Sequence, residues 1–419
     1  MQTIAVFVIY FLLFTWLIGR IAFIKNAGLQ KGWIWGLFSI KILAGLAYGL
    51  FYLQPAYNAT SDTWHFFELS KGETDWLLND PRAFFKDIFV YGYGHSGNLF
   101  LGENSYWNDL KSNIIIKLLA ICNVFTFKNY YADIIFFNFF FFFGPIALYR
   151  LVRSTFDTNK ILTVAIVFLI PSFLFWCSGI HKDGLIFSCT ALIIFHVQKQ
   201  LNERKFISSS IIWMSALFIL LFALRNFMAL LLVPSLLIWI LAFFYPKKSV
   251  LITAIAVFSG VLLFFLSGTI SNETSLPQYI IEKQNEFKQL SGTSQIYVPL
   301  LENTVSSFAR FLPTAIDIAF FRPHITEINN LSYIPAAAEI IVLWAAIIVS
   351  FFIKKTSPYS KQQSSFLLFC VVFSVLFLLL AGYTITFSGA IVRYRATVLP
   401  FLFIPVLNRL SALIKYKKK

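Results

Sequence analysis

The sequence predicts an all-α polytopic membrane protein, and three observations predict it. Hydrophobic residues make up 58% of the 419 and charged residues only 13%, against roughly 25% charged in a soluble domain. Apolar stretches of about 17–25 residues, the length that crosses a bilayer, recur along the whole chain. These runs are continuous rather than alternating, and in hydrocarbon a continuous run satisfies its backbone polar groups as a helix, not as a barrel strand.

A criterion of about 20 residues gives about eleven spans, at 3–24, 33–53, 130–149, 160–177, 184–198, 208–224, 227–245, 250–267, 336–353, 364–382 and 396–412. The whole chain, 1–419, reads as a single transmembrane domain. No basic residue precedes the first span and no small-residue cleavage site follows it, so it is expected to be a span, not a signal peptide.

Charge orients the spans. One alternating set of loops holds 19 basic residues, including Lys25, Arg150, Arg153, Lys247, Lys248 and Lys354, against only Asp157 and Glu203. Of 34 basic and 19 acidic residues in the chain, this leaves 15 and 17 elsewhere. The positive-inside rule puts the first set in the cytoplasm, the N-terminus outside and the C-terminus inside, as expected for a multi-pass protein of a bacterial inner membrane. The net charge of +15 thus belongs to membrane orientation, and no nucleic-acid partner is expected. Cys122, Cys177, Cys189 and Cys370 show neither CxxC nor metal-ligand spacing, and read as small packed residues.

Two outer loops are long, at 54–112 and 268–335, and long loops are usually functional. In the first, Asp80-Pro81 ahead of Phe84 and Phe85 reads as an N-capped helix lying on the membrane surface. The apolar segment 114–126 is too short to span and reads as interfacial or re-entrant; 279–290 reads as a further outer helix.

Four outer features stand out against this background. Ser61 caps a helix start that places Asp62 in the first turn with His65 on the same face. The helix dipole favours ionised Asp62, which suits it to accept a proton or hold a cation; it also suits a merely stabilising first-turn acid. Ser178-Gly179-Ile180-His181-Lys182-Asp183-Gly184 forms a tight turn in which Asp183 is expected to cap the next span while Lys182 and free amides attract an anion. The alternative is a solvated hairpin with a snorkelling Lys182. Arg225, at the end of an apolar span, calls for a polar cavity or a partner unless it snorkels to the surface. Last, Arg322 and His324 lie near the end of the second long loop, and Arg393 and Arg395 precede the final span against the positive-inside trend. Residues two apart do not share a helix face, so at most one of these two arginines is expected to point at a ligand unless the stretch is extended; the alternative is a pair of surface charges at a helix start.

At Ser61-Asp62-Thr63 after an early span, the sequence resembles the GT-C superfamily of membrane glycosyltransferases. Ser178–Gly184, Phe321-Arg322-Pro323 and Val392-Arg393-Tyr394-Arg395 also resemble a group of multi-span proteins of Bacteroidetes-type bacteria. The resemblance runs from about 41 to 405. It implies an acidic residue in the first large outer loop, interfacial helices beside it, and a polyprenyl-phosphate-linked sugar as donor. On that basis Asp62 is the expected base for a glycan, lipid or protein acceptor, and Lys182, Arg225, Arg393 and Arg395 are the expected lipid-phosphate contacts. His65, His181, Asp183, Arg322 and His324 are further substrate-binding candidates. Trp64, Tyr91 and Trp107 are candidate sugar platforms. No metal site is expected from the motifs; a divalent cation at Asp62 is the one cofactor left open. Competing readings are a surface-polysaccharide repeat-unit polymerase or ligase, a lipid-linked oligosaccharide flippase or transporter, and a structural membrane subunit. A transporter would place its charges nearer the midplane; here most of the unusual charges fall at the outer rim, and Lys41, the main exception, can snorkel inward.

Overall fold

The computed structural model describes residues 2–58, 61–89, 106–270, 275–290, 294–327, 333–353 and 358–416. The chain is all-helical, at 84% helix with no strand among the described residues. Among the described residues, seven helices are long and apolar enough to cross a membrane: Lys31–Phe51, Tyr130–Thr155, Lys182–Glu203, Asn226–Phe244, Pro246–Thr269, Ile334–Phe352 and Lys361–Thr384. Two shorter apolar helices, Thr3–Ile18 and Ser208–Leu224, accompany them. This is an α-helical polytopic membrane protein.

The two remaining expected spans are broken helices, and proline is the reason. Segment 160–177 divides into Lys160–Phe168 and Pro171–Trp176, because Pro171 lacks an N–H and disfavours helical backbone at the residue before it. Segment 396–412 divides into Leu399–Leu402 and Ile404–Tyr416, each with a proline at its second residue, where the missing N–H is tolerated.

Chain contacts form two compact units: residues 1–151 with 173–229, and 152–172 with 230–419. In the first, Gln2–Ile18 and Lys31–Phe51 pack on Tyr130–Phe141. Phe14 meets Phe136 and Phe139 with ring centroids 4.7 and 4.8 Å apart. The described part of the first long loop is largely helical. Asp62–Asn79 buries Thr63, Phe66, Phe67, Ser70 and Thr74 along one face, against Tyr106–Thr126. The latter was expected to begin only at 114; its first two turns carry Asn108, Asp109, Lys111 and Ser112 and read as loop. Buried Lys117 joins these helices, pairing with Glu73 at 2.9 Å and Asp87 at 3.0 Å. The expected helix after Asp80 is Pro81–Lys86, with the Asp80 carboxylate accepting from the Ala83 N–H at 3.0 Å. Its Phe84 is fully buried, so this side chain serves the protein core and not the membrane surface.

In the second unit, Lys361–Thr384 is the central helix. Its Phe366, Phe369, Phe373 and Phe377 are all buried, and Trp239 packs on Phe369 at 4.9 Å. Around its other end, Phe308, Phe311, Ala315 and Ile318 close a cluster with Ala381 and Ile385. The expected helix at 279–290 is Leu276–Gln289, capped by the Ser275 hydroxyl.

Candidate functional site

The first turn of the Asp62–Asn79 helix is fixed from beneath. The Ser61 hydroxyl accepts from the Trp64 N–H at 3.4 Å. The Trp64 indole N–H donates to the Gly49 carbonyl at 3.0 Å, and its ring lies on Tyr130 at 3.8 Å. Thr63 and Tyr130 share a hydroxyl–hydroxyl bond of 2.8 Å. These contacts consume the inward face, so Asp62 and His65 lie on the exposed one. The Asp62 side chain keeps 49% of its surface exposed.

The Cys177–Gly184 turn is clamped as firmly. Lys41 is not snorkelling: it is buried within its span, and its Nζ donates to the Cys177 carbonyl at 2.5 Å and the Ser178 Oγ at 3.0 Å. Asn138 Nδ2 donates to the Ser178 carbonyl at 2.7 Å. The backbone approaches its neighbours so closely that a Cβ on Gly179 would lie 2.2 Å from the Tyr48 ring. Lys41 and Asn138 thus hold this turn in place, and the sequence did not single them out as site residues. A lysine in the middle of an apolar span was the available signal.

From this turn His181 enters the next helix as its N-cap, in extended backbone and without a side-chain capping bond. Asp183 was expected to cap this helix and does not; it is the helix's second residue, fully buried. Nor is the turn a solvated hairpin, since His181 and Asp183 are both 0% exposed. The physical reason is a chain of polar contacts. His181 Nε2 lies 3.2 Å from Asp62 Oδ2, and His181 Nδ1 lies 2.9 Å from Asp183 Oδ2. Arg225 Nη2 donates to Asp183 Oδ1 at 2.6 Å. Arg225 is the C-cap of Ser208–Leu224 and is buried, not at the surface. The His181 ring also stacks on Phe66 at 6.2 Å. Four groups from three well-separated segments thus form one line from a half-exposed carboxylate to a buried ion pair. Lys182, half-buried, is next to that line in sequence.

The second unit gathers the other expected residues. Arg322 pairs with Asp317 at 2.9 Å and Glu327 at 2.7 Å, and His324 Nε2 lies 3.0 Å from Asp317. Arg395 is turned inward, its Nη1 donating to the carbonyls of Ala319 at 3.2 Å and Arg322 at 2.9 Å. Burial lowers this guanidinium to about 10, with Glu339 opposing the shift, so it stays charged at neutral pH. Glu339 in turn accepts from the Ser172 N–H at 2.6 Å and hydroxyl at 2.7 Å. Arg393, two residues back on the Ser388–Ala396 helix, is only half-buried. Asp317 and Glu327 were not foreseen as partners. Of the expected aromatic platforms, Trp64 is stacked on Tyr130, Trp107 packs on Phe222 at 4.9 Å, and Tyr91 lies outside the described residues.

Among the described residues no three His, Cys, Asp or Glu groups converge in a way that holds a metal ion. At Asp62 this follows from the partners, since both His181 nitrogens face carboxylates and Asp183 faces Arg225. No protein-family model, curated protein or solved structure matches the chain significantly.

Proposed function

We propose that this protein is a membrane glycosyltransferase of the GT-C type. It moves a sugar from a polyprenyl-phosphate-linked donor to an acceptor hydroxyl on the non-cytoplasmic face of a bacterial inner membrane. The observation that carries the reading is the half-exposed Asp62 at a helix N-terminus, backed by buried His181, Asp183 and Arg225. A carboxylate with one open side and a polar chain behind it suits proton abstraction from a substrate. The resemblance at Ser61-Asp62-Thr63 supplies the reaction class.

In the reaction, the acceptor O–H breaks, its electron pair forms the bond to the anomeric carbon, and its proton goes to Asp62. The bond from the anomeric carbon to the phosphate oxygen breaks, and the phosphate leaves with that pair. Lys182, one residue from His181, supplies positive charge to the phosphate. Arg225 acts through Asp183, which it neutralises.

The test is transfer from a synthetic polyprenyl-phosphate hexose to a panel of glycan, lipid and peptide acceptors by purified protein in nanodiscs. Asp62→Asn is expected to lower transfer by about 10²- to 10⁴-fold, as for loss of a general base. Glu68→Gln, which removes an exposed carboxylate paired with Lys71 at 2.7 Å, should leave transfer near the parent value. An Asp62→Asn variant as active as the parent would sink the mechanism. Carrier binding without transfer to any acceptor would favour a flippase.

A further inference from the structure

We infer that His181 and Asp62 form a proton-sharing dyad, and that Asp183, fixed by Arg225, sets the pH at which the dyad is ready to accept the acceptor's proton. The inference rests on the proposed role of Asp62, and it makes His181, Asp183 and Arg225 positioning residues.

The positions of the protons follow from the geometry. An ionised carboxylate only accepts hydrogen bonds. Asp183 receives Arg225 at 2.6 Å on one oxygen and faces His181 Nδ1 at 2.9 Å with the other. A carboxylate paired so closely with arginine is ionised, so Nδ1 carries a proton. Nε2 then faces Asp62 Oδ2 at 3.2 Å. A contact between these two atoms is attractive only with a proton between them, on either the ring or the carboxyl. We assign a shared proton to this contact, one more than a neutral ring and two carboxylates hold.

That state is the one reached after a proton has been taken up. Before it, a neutral ring and an ionised Asp62 are ready for the acceptor. When Asp62 takes the acceptor's proton, His181 Nε2 shares it, and Asp62 retains negative charge beside the developing positive charge of the sugar. The proton leaves through the exposed side of Asp62, and no other reactant is needed.

The groups facing the ring support this assignment. Asp62 comes from the Asp62–Asn79 helix, with exposed His65 one turn further on. Lys182 and Asp183 share the ring's own helix, and Arg225 comes from the end of Ser208–Leu224. Lys41, from its span, is engaged by the Cys177 carbonyl and Ser178. Asp133 accepts from Thr126 at 2.7 Å. The charges in direct contact with the imidazole are thus the two carboxylates of Asp62 and Asp183.

The experiment is solid-state NMR of ¹⁵N-histidine-labelled full-length protein in nanodiscs, with the ring signals of His181 identified by their absence in His181→Gln. Asp183→Asn and Asp62→Asn each remove one facing charge. Each is expected to make His181 lose its second proton at a pH lower than in the parent by about one unit or more. Arg225→Lys, which keeps the charge on Asp183, should titrate close to the parent. In transfer assays, Asp183→Asn should move the acid limb of kcat/KM to lower pH, a displacement that a merely structural defect would not cause. If His181 titrates as in the parent in either folded variant, the dyad is wrong. The half-exposed Asp62 secures this test should buried Asp183→Asn fail to fold. The two readings fail separately: shifted titration with full transfer by Asp62→Asn would keep the dyad and remove Asp62 as base. Lost transfer with unshifted titration would do the reverse.

Discussion

Arg393 and Arg395 show how far single residues were legible. Their place against the charge trend marked them as unusual, and the spacing of two implied that they would not share a face. The structure separates them accordingly, with Arg395 buried against the Ala319 and Arg322 carbonyls and Arg393 half-buried. What the spacing could not give was a carbonyl partner 76 residues away, because main-chain acceptors leave no trace in side-chain identity. Arg395→Ala is expected to destabilise the second unit by about 3 kcal/mol, since it strands buried acceptors and the Glu339 charge. Arg393→Ala, at a half-buried position, should cost less. Thermal unfolding in detergent checks the pair: equal melting temperatures would show that Arg395 does not brace this region. Asp62 was legible through its Ser61 cap, and His181 and Asp183 were legible as polar residues in an apolar turn. Arg225 called for a partner, yet nothing in the sequence named Asp183.

At the scale of elements, small residues decide where the Cys177–Gly184 turn sits. A Cβ on Gly45 would come within 2.5 Å of the Ser178 carbonyl and 2.7 Å of Ile134. Gly36, in the same helix, has nothing within 4 Å of such a Cβ. Gly45→Ala is therefore expected to cost about 1–3 kcal/mol as overpacking and to displace the turn that carries His181. Gly36→Ala should be neutral or slightly stabilising, because alanine is the better helix former. Comparable unfolding and transfer for both variants would remove Gly45 as a determinant of the site. Helix existence was readable from apolar run length. Breaks at Pro171 and within 396–412 were not anticipated, although the prolines were in plain view, because the hydropathy window passes over a single residue.

The whole molecule was read from charge and hydropathy, which locate helices but not their grouping. The two compact units change over at 151–152, 172–173 and 229–230. Each change falls inside a helix, so no linker, composition shift or Gly/Pro run marks it. Orientation remains the strongest sequence-based expectation, and it is open to direct measurement. In a background lacking the four native cysteines, all of them buried, Glu68→Cys should react with an impermeant thiol reagent from outside. Lys247→Cys should react only after permeabilisation. The reverse pattern would overturn the orientation and the non-cytoplasmic placement of Asp62.

The Asp183–Arg225 pair also bears on how the chain is made. Arg225 follows Asp183 by 42 residues, about 2–8 s of translation at roughly 5–20 residues per second. During that interval the Lys182–Glu203 helix is polymerised with a carboxylate whose counterion has yet to be synthesised. An uncompensated acid is costly in hydrocarbon, so the helix gains little by settling alone. Stable integration is expected to wait for Ser208–Leu224 and Arg225, making the helical hairpin, not the single helix, the unit that the insertion machinery releases.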